Sequence, residues 1–272
     1  MTDRYAVIGN PVAHSRSPEI HAAFARECGV DMQYDRLLAA PNRFAETVEA
    51  FRMSGASGAN ITLPFKLDAF DYASECTLRA TRSRSVNTLR FESNKILGDN
   101  TDGVGLCRDI IGNIGRPLRG ARILLIGAGG AARGVVGALL DCEPATLAIT
   151  NRTLAKAHVI VDEIGANDLF CAIGPAQLPS ERFDVLINAT SASLTASLPP
   201  VPASCFSKDA LAYDMMYGAG LTPFLALAAS TGARIEDGLG MLVEQAAEAF
   251  YVWRGVRPST GPVLHFLKQA AQ

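Results

Sequence analysis

The chain has 272 residues, a formal net charge of −2, and apolar side chains at 49% of its positions. That balance excludes a nucleic-acid partner recruited by basic excess, and no apolar stretch approaches the length of a membrane span. The opening MTDRYAVIGN lacks the basic start and long apolar core of a signal peptide, so a soluble, cytoplasmic protein of one large or two modest domains is expected. The six cysteines are scattered without a CxxC pair and read as reduced core thiols. The four histidines show no metal-ligand spacing, and no metal is expected.

Over the first hundred residues strand and helix signals alternate. RYAVIGN is a strand. SPEIHAAFAREC is a helix with Ser17 as N-cap, Pro18 at its first position and Gly29 just past its end. MQYDRLLA then reads as a strand, NRFAETVEAFRMSG as a helix, GANITL as a strand and FKLDAFDYASE as a helix. SVNTLRF and KILGDN resemble paired strands flanking the turn ESN. Such alternation predicts an α/β layer architecture. A second series starts at LRGARILLIGAGGAARGVVGALLD. Its strands TLAIT, FDVLINAT and ALAYDMMY, with helices between them, are nearly continuous apolar runs, as a parallel sheet covered on both faces requires. DGLGMLVEQAAEAFYVWRG and GPVLHFLKQAAQ close the chain as helices.

ILLIGAGGAARG is an apolar strand running into Gly127-Ala128-Gly129-Gly130-Ala131-Ala132 and then a helix, the context that gives the G-x-G-x-x-[GA] dinucleotide fingerprint its weight. Gly127 allows the tight turn, Gly129 lets backbone approach the pyrophosphate, and Ala132 permits close helix–strand packing. The helix N-terminus offers N–H groups to the phosphates. NAD-binding versions end the second strand with an acid; here LAITNRT ends in Asn151-Arg152-Thr153. Arg152 can pair with a 2′-phosphate and stack on adenine, while Asn151 and Thr153 add neutral donors, so NADP is favoured.

GNPVAHSRSP, NITLPFK, VNTL, GDNTDGVG, GAGGAARG, NRT, NATS and DGLGMLVEQAA occur in this order from end to end of the chain. Together they resemble the shikimate dehydrogenase family. The resemblance implies an N-terminal α/β substrate domain (1–103, completed by about 241–272) and a Rossmann-type parallel-sheet NADP domain (104–240), with the C-terminal helices returning to the first. It also implies reversible, NADPH-dependent reduction of 3-dehydroshikimate to shikimate, a step toward chorismate and the aromatic amino acids. A small-molecule substrate, no nucleic acid, no membrane, and a monomer or homodimer are expected.

By the same resemblance Lys66 and Asp102 form the catalytic pair. Ser15, Ser17 and Tyr217 hold the substrate carboxylate, and Thr62, Asn87, Asp102 and Gln245 bind ring hydroxyls. Met215, Gly238 and Met241 join Gly127, Ala128, Gly129, Gly130, Ala131, Asn151, Arg152 and Thr153 around the cofactor. Residue chemistry is compatible with this: Ser15 and Ser17 lie beside a helix start, where hydroxyls and the dipole suit a carboxylate. An ammonium is a competent proton donor to a ketone oxygen. In the reverse oxidation it must give up that proton, so this direction should speed up as pH rises. By composition alone Lys66 reads as a surface lysine, Met241 as core and Gln245 as surface. The segments Gly103–Gly105 and Gly238–Gly240 are candidate hinges.

Two positions depart from the family pattern. Arg84-Ser85 stands before VNTL, where relatives carry small residues, and Ser193 stands where they tend to have glycine. Arg152 and the intact Ser15/Ser17 pair argue against a relative that also oxidises quinate, often with NAD. Lys66 and Asp102 argue against a non-catalytic NADPH-sensing module. Nothing replaces the two serines as a folate-linked dehydrogenase would need.

Overall fold

The computed structural model describes residues 2–190, 192, 197–218 and 220–270. The first stretch runs β1 (Asp3–Gly9), α1 (Ser17–Cys28), β2 (Met32–Leu38), α2 (Phe44–Met53), β3 (Gly58–Ile61), α3 (Lys66–Tyr72), β4 (Glu75–Cys76), α4 (Leu78–Ser83), β5 (Thr88–Phe91) and β6 (Ile96–Asp99). α5 (Asp102–Arg108) follows, extended by a π-helical turn at Asp109–Asn113. Then come β7 (Arg122–Ile126), α6 (Gly130–Asp141), β8 (Thr146–Thr150), α7 (Leu154–Ile164), β9 (Phe170–Ala172), β10 (Phe183–Asn188) and β11 (Phe206–Asp214). α8 (Pro223–Ser230), β12 (Arg234–Asp237), α9 (Leu239–Arg254) and α10 (Gly261–Gln269) complete the chain. No described helix is long and apolar enough to cross a membrane.

Two compact units result: Met1–Gly105 with Leu242–Ala270, and Leu106–Met241. The first holds a six-stranded sheet in the order β2-β1-β3-β5-β6-β4. β1 runs parallel to β2 and β3, whereas β5 is antiparallel to β3 and β6, so the sheet is mixed. All four residues of β3 are buried, which is why Gly58–Ile61 carries no alternation. Gly58 must lack a side chain, because a Cβ there would lie 2.6 Å from the Leu89 carbonyl oxygen and 2.7 Å from Trp253 Nε1. The freed space lets the Trp253 indole donate to that carbonyl at 3.0 Å. Ile8, Val48, Ile61, Phe65 and Leu89 pack into one core, and Phe44 stacks on Phe65 at 5.1 Å between ring centres.

The second unit is an all-parallel sheet in the order β12-β11-β10-β7-β8-β9. Renumbered within the unit this is 6-5-4-1-2-3, the doubly wound dinucleotide-binding order. Alternate residues of one strand enter two different cores. Leu125, Ile187 and Tyr213 belong to one, and Leu124, Leu186 and Ala212 to the other. A strand buried on both faces has no polar alternate, which accounts for the apolar runs.

The fold is the expected α/β class, with local corrections. Ser17 is the first helical residue of α1, not its cap; Arg16 occupies that position without a side-chain capping bond, and Ser15 Oγ accepts from the Ser17 N–H at 3.3 Å. α4, α5, β4, β9 and β12 were not expected from sequence. Between β10 and β11, where a helix was expected, the described residues include a 3₁₀ turn at Ala203–Cys205, and part of that stretch lies outside the described residues. Gly103 and Gly105 lie inside α5 and not in a loop, and Gly240 lies in the first turn of α9. Gly240 is a place of close approach, since a Cβ there would fall 2.0 Å from Asp109 Oδ1. Arg84 is exposed and adopts φ +48°, the left-handed conformation that glycine takes without strain. Ser193 lies outside the described residues.

Candidate active site

β3 ends at Ile61, Pro64 cannot continue a ladder, and α3 begins at Lys66. The Lys66 carbonyl accepts from the Val86 N–H at 2.9 Å, Ile61 N–H donates to Asn87 O at 2.7 Å, and Asn87 N–H to Asp99 O at 3.0 Å. Adjacent strands thus set Lys66, Asn87 and the segment after Asp99 at one end of the sheet. There Lys66 Nζ donates to Asp102 Oδ2 at 2.6 Å, with side chains 16% and 5% exposed. The other carboxylate oxygen accepts from Asn87 Nδ2 at 2.8 Å, and the same amide reaches Gln245 Oε1 at 3.3 Å. Asn87 Oδ1 accepts from the Thr101 N–H at 2.9 Å, which fixes the orientation of the amide. Lys66, Asn87, Asp102 and Gln245 therefore meet. A charge-assisted pair held largely out of water, flanked by two amides, suits the handling of a proton next to hydroxyl groups.

Gln245 approaches because Gly105 has no side chain: a Cβ would lie 2.6 Å from Gln245 Cβ and 2.7 Å from its backbone nitrogen. Thr62, half-buried, donates its N–H to Ile8 O at 2.9 Å. It is accommodated by Gly9, whose Cβ would stand 2.2 Å from Thr62 Cγ2. Ser15 Oγ donates to Ser17 Oγ at 3.1 Å at the start of α1. Arg36 holds this turn with Nε and Nη2 donating to Ser15 O at 2.9 and 2.6 Å. Tyr217, half-buried, belongs to the second unit, beyond β11.

In the second unit Gly127 adopts φ +117°, and a Cβ there would meet Ala189 and Thr190 at 3.1 Å. Gly129, a residue without a side chain to cap the helix, precedes α6, and among the described residues no atom lies within 4 Å of its missing Cβ. Ala128, Gly130 and Ala131 are half-buried, and Ala132 is fully buried against the sheet. Among the described residues the turn thus leaves open space beside Gly129 at a helix N-terminus, and these residues fit a dinucleotide pyrophosphate. At the end of β8, Asn151 Nδ2 donates to Thr153 O at 2.9 Å. Exposed Arg152 has no ion pair among the described residues.

Met215 packs against the core, and Gly238 is tight against it, with a Cβ 2.3 Å from Met215 O. Met241 is itself core, its N–H donating to Tyr213 Oη at 3.2 Å while Tyr213 donates to Asp109 Oδ2 at 2.6 Å. Burial first, and then the Asp109 carboxylate, push the Tyr213 phenol well above its ordinary range, so it stays a donor. Among the described residues no group of three His, Cys, Asp or Glu side chains is arranged to hold a metal.

Family models match three stretches: residues 7–89 the shikimate dehydrogenase substrate binding domain, 109–197 shikimate / quinate 5-dehydrogenase, and 238–265 the shikimate 5'-dehydrogenase C-terminal domain. A shikimate dehydrogenase (NADP(+)) of Nitrosospira multiformis is 54% identical over 271 residues, covering 99% of this chain and 98% of that one. The chain belongs to the shikimate dehydrogenase family. Among solved structures, an Ael1 enzyme from Pseudomonas putida is 47% identical over 98% of both chains, with a TM-score of 0.91. A Thermus thermophilus shikimate 5-dehydrogenase in complex with NADP(H) and shikimate is 30% identical over 99% of this chain and 100% of that one, with a TM-score of 0.86.

In this member of the shikimate dehydrogenase family, sequence reading passed over the groups that hold Asp102 in place. Asp99, 3% exposed, accepts from Thr77 Oγ1, Arg79 Nε and Arg79 Nη2, each at 2.6 Å. Arg79 also donates to Glu248 Oε1 on α9 at 2.9 Å. Asn100 donates to Ser85 O at 2.8 Å and accepts from the Asp102 N–H at 3.1 Å. The motif GDNTDG contained Asp99 and Asn100, but only the fold supplies Arg79 from α4.

Proposed function

We propose that the protein catalyses the reversible, NADP-linked reduction of 3-dehydroshikimate to shikimate, in the cytoplasm, as a monomer or homodimer. The observation that carries this reading is the 2.6 Å Lys66–Asp102 pair with Asn87 and Gln245 beside it. Family membership supplies the substrate class, and relatives 50–54% identical named shikimate dehydrogenase (NADP(+)) support the cofactor.

Asp102, Asn87, Gln245 and Thr62 bind ring hydroxyls of the substrate. Ser15 and Ser17 take its carboxylate at the start of α1, a role proposed also for Tyr217. Gly127, Ala128, Gly129, Gly130 and Ala131 hold the pyrophosphate; Asn151, Arg152 and Thr153 hold the adenosine end and its 2′-phosphate; Met215, Gly238 and Met241 border the remainder. When bound, NADPH supplies the hydride to the carbonyl carbon. Lys66 gives a proton to the carbonyl oxygen in reduction and removes one from the hydroxyl in oxidation. Asp102 keeps the ammonium aimed at that oxygen.

The test is shikimate oxidation followed at the nicotinamide absorbance band with NADP and, separately, with NAD, and repeated with quinate. The reading predicts that shikimate with NADP is the best of the four combinations. Inertness toward shikimate with both dinucleotides overturns it, and a preference for quinate with NAD replaces it.

A further inference from the structure

A single chain of hydrogen bonds runs through the buried interior of the first unit and ends on Asp102. Tyr34 Oη donates to Asn60 Oδ1 at 2.7 Å. Asn60 Nδ2 donates to Thr88 Oγ1 at 3.1 Å and to Asn87 O at 3.2 Å. Thr88 Oγ1 donates to Asn87 Oδ1 at 2.9 Å, and Asn87 Nδ2 donates to Asp102 Oδ1 at 2.8 Å. Asp102 Oδ2 receives Lys66. Asn60, Thr88, Asn87 and Asp102 are 6%, 0%, 2% and 4% exposed.

The direction of the chain is fixed at both ends. At one end burial raises the Tyr34 phenol well above its ordinary range, so it donates at any working pH. Its ring is stacked on fully buried His21 at 4.3 Å. Near the other end, the Thr101 backbone N–H can only donate, so the group it meets on Asn87 is the oxygen, and the nitrogen must face the carboxylate. Between them Thr88 is the one side chain that both receives from Asn60 and gives to Asn87. Donors aligned in one direction polarise one another, and in a dry interior each link strengthens the next.

We infer that Thr88 is a positioning residue for the catalytic pair: at the end of the Tyr34–Asn60–Thr88–Asn87 chain its hydroxyl is a second donor, beside the Thr101 N–H, to the Asn87 side-chain oxygen, and so holds the Asn87 amide firmly on Asp102 and Asp102 aimed at Lys66. This rests on the function proposed above and adds to it a residue that touches neither substrate nor cofactor. Valine at this position keeps the shape and removes the hydroxyl, while serine keeps the hydroxyl. Steady-state shikimate oxidation with NADP is measured for the parent, Thr88→Val and Thr88→Ser, together with urea unfolding of each. Thr88→Val should lower kcat about tenfold, the loss of one buried hydrogen bond felt in the transition state, with the KM for NADP within about twofold. Thr88→Ser should recover most of the lost kcat.

A folded Thr88→Val enzyme with parental kcat overturns the inference. So does a fall in kcat that Thr88→Ser fails to restore, since that marks packing and not the hydroxyl. Should Thr88→Val not fold, Tyr34→Phe removes the first donor of the same chain, and parental kcat in that variant is equally decisive against it. Failure of the parent itself to oxidise shikimate would strike the proposed function instead, so the two outcomes are separable.

Discussion

Lys66 and Asp102 stand 36 positions apart in the chain and 2.6 Å apart in space, the first opening α3 and the second opening α5. Nothing local brings them together. The register of β3, β5 and β6 does, because the ends of β3 and β6 and the start of the antiparallel β5, next to Asn87, lie at the same edge of the sheet. Lys66→Ala should cost roughly 10²–10⁴-fold in kcat, the range of a positioned proton donor, with little change in the KM for shikimate. Turnover near that of the parent would remove Lys66 from the chemistry.

Arg152 is exposed at the end of β8 and forms no ion pair among the described residues, so its charge is available to a ligand. Arg152→Ala should weaken NADP binding by roughly 1.5–3 kcal/mol, the worth of a hydrogen bond to a charged group, while leaving NAD binding nearly unchanged. Titration calorimetry with each dinucleotide reads both numbers. Equal weakening for the two would place Arg152 away from the 2′-phosphate.

Gly105 makes room for Gln245. A methyl group there would press on the Gln245 backbone at 2.7 Å, and backbone cannot swing aside as a flexible side-chain end can. Gly105→Ala should therefore destabilise the protein by roughly 1–3 kcal/mol and raise the KM for shikimate through the displaced amide. Urea unfolding together with substrate kinetics checks both effects; an unchanged KM would detach Gln245 from substrate binding.

His21 is fully buried among the rings of Phe24, Tyr34, Phe250 and Trp253. Burial lowers its pKa from 6.5 to about 3. The folded state thus binds fewer protons than the unfolded one across that window. The stability contributed by the neutral ring is fully present above pH 6.5 and is lost as pH falls toward 3. The slope is about 1.4 kcal/mol per pH unit for one such group. Urea unfolding across this range should show a shallower acid loss for His21→Phe than for the parent. Parallel curves would mean that His21 does not govern the acid limb.

Arg84 ends α4 in the left-handed conformation at φ +48°, with its guanidinium 5.9 Å above the Phe70 ring. A side chain is strained there and glycine is not. Arg84→Gly should stabilise the fold by about 0.5–1 kcal/mol, the ring contact offsetting part of the gain. A lower melting temperature for this variant would show that the guanidinium contact outweighs the strain.

The strands that sequence reading missed share a position. β4, β9 and β12 are the short outer strands of the two sheets, where pairing on one side alone imposes no hydrophobic pattern. α4 was missed because its six residues are too few to show helical periodicity; it carries a side-chain cap from Thr77 and is tied to Asp99 through Arg79. Ser17 was placed one position too early in its helix because Ser15, two residues back, takes the amide that a capping hydroxyl at Ser17 would have left for the next turn.

The sequence by itself determined the α/β alternation, the glycine-rich strand–turn–helix at Gly127–Ala132 and the absence of an acid after β8, because each is written within a few consecutive residues. Motif order then named the family and, with it, Lys66 and Asp102. Only the tertiary structure decided that these two touch, that Asn87 turns its nitrogen to the carboxylate, and that Tyr34, Asn60 and Thr88 stand behind it. Hydrogen bonds between residues distant in the chain depend on strand register and on which side chains are shut away from water, and no local stretch of sequence encodes either.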